Sequence, residues 1–165
     1  MNQDYVLELF FSLKGDLNKI NAVIDEKMKR IQTRKITTFE KFILSRIAAN
    51  PKVLRMVNME ITAAEAAYLS LYPDLKEVEV LDLRQNYLGD EGLEVLVKSP
   101  ILKNLQELDL RSNQITRLGL ERMAGVDNLV HLKKADFRSN RLGQRWETKL
   151  KESAFYPELE EVRTV

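Results

Sequence analysis

A single pattern recurs three times and constrains the chain more than anything else in it. Val78-Glu-Val-Leu81-Asp-Leu83-Arg-Gln-Asn86-Tyr-Leu88 is followed by Leu105-Gln-Glu-Leu108-Asp-Leu110-Arg-Ser-Asn113-Gln-Ile115. The third copy is Leu132-Lys-Lys-Ala135-Asp-Phe137-Arg-Ser-Asn140-Arg-Leu142. The copies begin 27 residues apart without drift. A fixed period in this range marks a repeat array, in which each unit buries its apolar face only against its neighbours.

The alternation within each copy is that of a short strand, whose successive side chains point to opposite faces. Leu81/Leu83, Leu108/Leu110 and Ala135/Phe137 therefore face inward. Asn86, Asn113 and Asn140 fall where the chain leaves the strand. An amide there can pair with backbone groups that the turn leaves open, so these residues read as a structural asparagine ladder. One period earlier lies a worn copy, with Pro51, Leu54, Met56 and Ile61 at apolar positions and Met59 in place of the asparagine. Helix-forming stretches follow each copy. Thr62 and Glu65 form a capping-box pair, and Asp90 and Glu91 sit where a helix amino terminus favours acids. One period after the third copy, Leu159-Glu-Glu-Val162-Arg-Thr164 reads as a last strand. Tyr72-Pro73 and Tyr156-Pro157 lie 84 residues apart, three more than three periods, which leaves the register of that strand open.

The text Leu81-Asp-Leu83-Arg-Gln-Asn86-Tyr-Leu88-Gly-Asp-Glu-Gly-Leu93, with Ser99-Pro100 and Leu105, resembles the ribonuclease-inhibitor-like class of leucine-rich repeats, in a form common in bacterial proteins. The resemblance covers residues 51–165. It implies an α/β fold: a right-handed leucine-rich-repeat solenoid with a parallel β-sheet on its concave face and helices on its convex face. About four 27-residue repeats and a terminal strand are expected over 51–165. The chain departs from the class at the worn first repeat, at Ala135 and at Trp146, where a smaller residue is usual.

Residues 1–50 carry no repeat. Val6, Leu9, Phe10 and Leu13, then Leu17, Ile20, Ile24, Met28 and Ile31, then Phe39, Phe42, Ile43 and Ile47, fall at helical spacing. Thr37 and Glu40 could cap the third helix, and Asn50-Pro51 ends it. Exposed apolar ends must be covered in an array, so residues 1–50 are expected to form a helical amino-terminal cap.

Composition narrows the chemistry. Lys+Arg 26 against Asp+Glu 25 gives a formal charge of +1 and no general pull toward nucleic acid or anionic membrane. There is no cysteine, which removes disulfides and thiolate chemistry. Neither a secretory leader nor an apolar run of membrane-spanning length is seen, so a cytoplasmic location is expected. The basic run Lys27, Lys29, Arg30, Arg34 and Lys35 has no interleaved aromatics to suggest nucleic acid. Gly89-Asp-Glu-Gly92 lacks the Lys-Ser/Thr of a phosphate loop. His131 has no nucleophile spaced to use it, and no catalytic motif, metal set or cofactor site emerges.

What remains is the outward side of the strands. One row reads Arg55, Asp82, Asp109, Asp136, Arg163, and the next Val57, Arg84, Arg111, Arg138, Val165; beside them lie Asn58, Gln85, Ser112 and Ser139. Such rows are either a self-paired surface of little net stability or a recognition face in which guanidiniums grip a partner. The class implied by the resemblance holds other proteins. The reading is a non-enzymatic module that binds a protein partner through Arg55, Asp82, Arg84, Gln85, Asp109, Arg111, Ser112, Asp136, Arg138 and Ser139, as a monomer or weak homodimer. The alternative is a scaffold that self-associates through its terminal strand and has no dedicated ligand.

Overall fold

A computed structural model describes Ser12, Lys19, Ala22, Val23, Glu26 and residues 39–165. The chain divides into two compact units, Met1–Leu44 and Ser45–Val165. Residues 39–49 are helical, ending before Asn50, and Ile43 is buried. The remaining apolar stripes expected in the amino-terminal cap, the Thr37 cap and the basic run Lys27–Lys35 lie outside the described residues.

The second unit is an α/β solenoid. Strands β1 (Val53–Arg55), β2 (Val80–Asp82), β3 (Glu107–Asp109), β4 (Lys134–Asp136) and β5 (Glu161–Arg163) form one parallel sheet in chain order. Helices α1 (Ala63–Leu71), α2 (Gly89–Val97), α3 (Arg117–Met123) and α4 (Arg145–Lys151) connect them. Each strand pairs with the next at a shift of one period: Arg55, Asp82, Asp109, Asp136 and Arg163 lie side by side. The ladder runs beyond the three-residue strands, with Leu83 N donating to Asp109 O at 2.9 Å and Gln85 N to Arg111 O at 2.9 Å. The last strand keeps the same register. Tyr156 therefore stands one period after Leu129, in the row Leu75, Leu102, Leu129, and is not the counterpart of Tyr72. All four are buried, and the Tyr156 hydroxyl donates to Met123 O at 2.7 Å.

The core is the inward alternation made solid. Leu54, Leu81, Leu108, Ala135 and Val162 form one row, and Met56, Leu83, Leu110 and Phe137 the next; none is more than 4% exposed. Ala135 and Phe137 are the small and the large exception in these rows, and both are buried.

Asparagines then tie repeat to repeat. Asn86 Oδ1 accepts from Met59 N (2.9 Å) and Ile61 N (3.1 Å), while its Nδ2 donates to Met56 O and Leu83 O, both at 2.8 Å. Asn140 does the same one repeat pair on, with Asn113 N, Ile115 N, Leu110 O and Phe137 O. The first repeat, with Met59 at the asparagine position, is served by Asn86 of the second. Just before each asparagine position the chain turns through a left-handed residue: Asn58, Gln85, Ser112 and Ser139 have φ between 53° and 59°. Side chains other than glycine meet a steric penalty there.

Helix caps add a second stitch. Thr62 and Glu65 form the full capping box of α1. Asp90 lies in the first turn of α2, but its carboxylate reaches into the next repeat and accepts from Thr116 N (2.7 Å) and Thr116 Oγ1 (2.6 Å). Gly119 makes room for it, since a Cβ there would sit 2.4 Å from Asp90 Oδ1. Helices α1 and α2, and α2 and α3, pack directly on each other, whereas α4 packs mainly on β5. Trp146 occupies the position that is Gly92 and Gly119 in the two preceding repeats, and it is 1% exposed. Its bulk fits where the close helix approach of the earlier repeats ends.

Candidate functional site: the outer face of the sheet

The alternation that buries leucines places three rows of side chains on the opposite face. They line a shallow depression of about 340 Å³ bounded by Arg55, Asp82, Arg84, Asp109, Arg111, Asp136 and Arg163, with Val80, Glu107, Lys134 and Glu161 beside them. Six residues expected at the site are thus brought together, and a seventh, Arg138, joins them through its ion pair with Asp136. Gln85, Ser112 and Ser139 are not among them. As the left-handed residues beyond the strand ends, they line a separate polar hollow with Asn58, Tyr87, Gln114 and Arg141.

On this face each arginine turns back on the aspartate two residues before it. Arg84 donates from Nε and Nη2 to the two oxygens of Asp82, both at 2.8 Å. Arg111 repeats the fork on Asp109 at 3.0 and 2.7 Å, and Arg138 on Asp136 at 3.0 and 2.7 Å. The forks are linked sideways, with Arg84 Nε 3.4 Å from Asp109 and Arg111 Nε 3.6 Å from Asp136. Like charges one strand apart are thereby interleaved with opposite ones, which offsets the repulsion that either row alone would carry.

The pairing shifts the ionisation of the three arginines and of Asp136. Hydrogen bonds donated to the aspartates raise the guanidinium pKa values of Arg84, Arg111 and Arg138. Burial alone would raise the Asp136 carboxyl, but hydrogen bonds from the Arg138 side chain and backbone, with the charges of Arg138 and Arg111, hold it below the usual carboxylate range. These carboxylates are each committed to an arginine, and among the described residues no group of three or more acidic, histidine or cysteine side chains is placed to hold a metal ion.

The two partners are not equally accessible. The side chains of Arg84, Arg111 and Arg138 are 36, 30 and 35% exposed, against 9, 24 and 18% for Asp82, Asp109 and Asp136. In each pair the arginine is the more accessible member. The Arg55 side chain, at the amino-terminal end of the row, has no ion-pair or hydrogen-bond partner among the described residues. Lys134 pairs with Glu107 at 2.7 Å, and Arg163 with Glu161. The row Val53, Val80, Glu107, Lys134, Glu161 is a part of the face that the sequence pattern did not bring forward. Its signal is present, since these residues precede the Asp row by two and share its parity.

His131 lies away from this face, 2.9 Å from Glu158 at the surface. No helix among the described residues is long and apolar enough to cross a membrane.

A family model described as "Leucine Rich repeat" matches residues 78–97 and 102–124. No curated protein matches the sequence. Among solved structures, one titled "Leiomodin-1 Actin-Binding Site 2 (ABS2)" is similar at 17% identity and a TM-score of 0.57, over 74% of this chain and 76% of that chain. At that identity the likeness speaks for the fold alone.

Proposed function

We propose, on the premise that this is a leucine-rich-repeat protein, that it acts as a non-enzymatic interaction module that holds a protein partner against the outer face of its sheet. Domains of this fold typically serve as binding modules, and the site has to be argued from its own residues. The observation that carries the reading is the ladder of forked Asp–Arg pairs, in which the arginines are the accessible members. Rigid, pre-paired arginines lose little side-chain entropy on binding, and arginine is enriched at interface hot spots. The face is broad and open, without the nucleophile–base geometry that catalysis needs.

The scaffold reading has less to support it. At the free edge of β5, the next outward amide is Thr164 N–H, and it already donates to Glu147 Oε1 at 2.8 Å. A strand edge engaged by its own side chain is a poorer template for another chain.

The test is partner capture from a source-cell extract with three purified chains: wild type, Arg84→Gln/Arg111→Gln, and Lys103→Glu as an exposed control outside the depression. A partner retained by wild type and Lys103→Glu but lost by the arginine variant supports the sheet face. Retention by all three contradicts it. Light scattering of the wild type as a clean monomer at high concentration would set the scaffold reading aside.

A further inference from the structure

The arginine ladder leaves a specific set of hydrogen bonds unused. A guanidinium has five N–H groups in a fixed plane. In Arg84, Arg111 and Arg138 one edge, Nε with Nη2, is spent on the neighbouring aspartate. The other edge, Nη1 with the second N–H of Nη2, makes no hydrogen bond to any described residue in any of the three. A free end-on edge is itself a fork that can take a carboxylate with two parallel bonds. The aspartates thus orient three arginines so that three forks without a partner among the described residues stand in a row, and in each pair the arginine is the more exposed member.

The spacing of the forks selects what can fill them. Neighbouring strands are about 4.8 Å apart, so the three forks span about 10 Å along the solenoid. On a helix, side chains on successive turns of one face are about 5.4 Å apart, and three of them span about 11 Å. In an extended segment, side chains on one face repeat at about 6.8 Å, and three span about 13 to 14 Å. A helix laid across the strands is therefore within about 1 Å of register, which side-chain rotamers absorb. An extended segment is off by about 4 Å at its third residue. A segment running along a strand instead would meet one arginine of the row. We infer that the partner's contact element is an acidic helix lying across β2, β3 and β4, with carboxylates on three successive turns received by Arg84, Arg111 and Arg138.

This inference rests on the sheet-face reading and narrows it. Its test uses the full chain and three synthetic peptides of equal length: a stapled helix with Glu on three successive turns of one face, the same helix with Gln in place of Glu, and a proline-flanked extended peptide with three Glu at alternate positions. Affinity is read by fluorescence anisotropy, and the Nε–H signals of the arginines by NMR. The acidic helix should bind at least about tenfold tighter than either comparator and shift the Arg84, Arg111 and Arg138 signals together. Arg111→Lys, which keeps the charge and loses the fork, should weaken it by about tenfold. Its unchanged melting curve shows that the fold is kept, and Arg138→Lys serves where Arg111→Lys melts early. Equal binding by the Gln helix or the extended peptide overturns the inference. So does an acidic helix that leaves the three arginine signals unmoved. Both results leave the sheet-face reading to be judged by the partner-capture experiment, which does not depend on what the contact element is.

Discussion

Replacing Asn86 with alanine tests the link between the repeat pattern and the fold. The asparagine serves four backbone groups at 3.1 Å or less: the N–H groups of Met59 and Ile61 and the carbonyls of Met56 and Leu83. Leu83 O keeps a second donor, Asn113 Nδ2, at 2.8 Å. Three groups therefore lose their only side-chain partner, and two of those residues, Met56 and Ile61, are at most 1% exposed. A buried polar group left unsatisfied costs about 1–3 kcal/mol, and water can reach the half-buried Met59, so the expected loss is about 3–5 kcal/mol. That is a large share of the roughly 5–15 kcal/mol by which domains are stable. Asn86→Asp separates this account from a simple packing loss. It keeps the acceptor for Met59 and Ile61 but turns an oxygen toward Met56 O, so it should be destabilised at neutral pH and recover on acidification, when the protonated carboxyl can donate again. Here the folded pKa is raised, so the recovery appears below that pKa and is absent above it. The assay is urea unfolding followed by the fluorescence of Trp146, the one tryptophan in the chain and a buried reporter within the repeat unit. A loss below about 1 kcal/mol for Asn86→Ala, or an Asn86→Asp variant that ignores pH, would refute the reasoning.

Three further outcomes follow from the same contacts. Leu110→Ala opens a cavity between repeats and should cost about 2–5 kcal/mol in the same unfolding assay. Gly119→Ala should cost about 1–3 kcal/mol because its Cβ would displace the Asp90 carboxylate from Thr116; in an Asp90→Ala background the added cost should largely vanish, which a double-mutant cycle reads directly. Asp136 ionises more readily folded than unfolded, so it favours folding above its ordinary range near pH 4 and loses that contribution as pH falls below it. Asp136→Asn should therefore flatten the acid limb of a stability–pH curve between about pH 5 and pH 2.

The period alone carried most of the architecture. A shift of one repeat places Arg55 beside Asp82 and Asp136 beside Arg163, so pairing partners could be read by counting. Strand parity separated Leu81 and Leu83 from Asp82 and Arg84 for the same reason. What the pattern could not supply were contacts that cross the period. Asp90 read as an ordinary acid at a helix start, yet its carboxylate spans to Thr116, 26 residues on. The likeness of Tyr72-Pro73 to Tyr156-Pro157 was local composition; the row of Leu75, Leu102 and Leu129 fixes where Tyr156 belongs. At the site, the like-charged rows and their capacity to pair with each other were legible, but the geometry of that pairing was not. That an arginine forks onto the aspartate two residues back is a rotamer choice, which spacing does not encode.

The central claim is that the arginine face of the sheet is the interaction surface. Titration calorimetry of the captured, purified partner against wild type and Arg84→Gln/Arg111→Gln tests it most directly, with melting curves to confirm that both chains are folded. Hot-spot residues lose about 2 kcal/mol or more on truncation, so the double variant should bind at least about thirtyfold more weakly. Equal affinity for the two chains would contradict the account and move the binding surface elsewhere, to the edge at Leu159–Val165 or the basic run Lys27–Lys35.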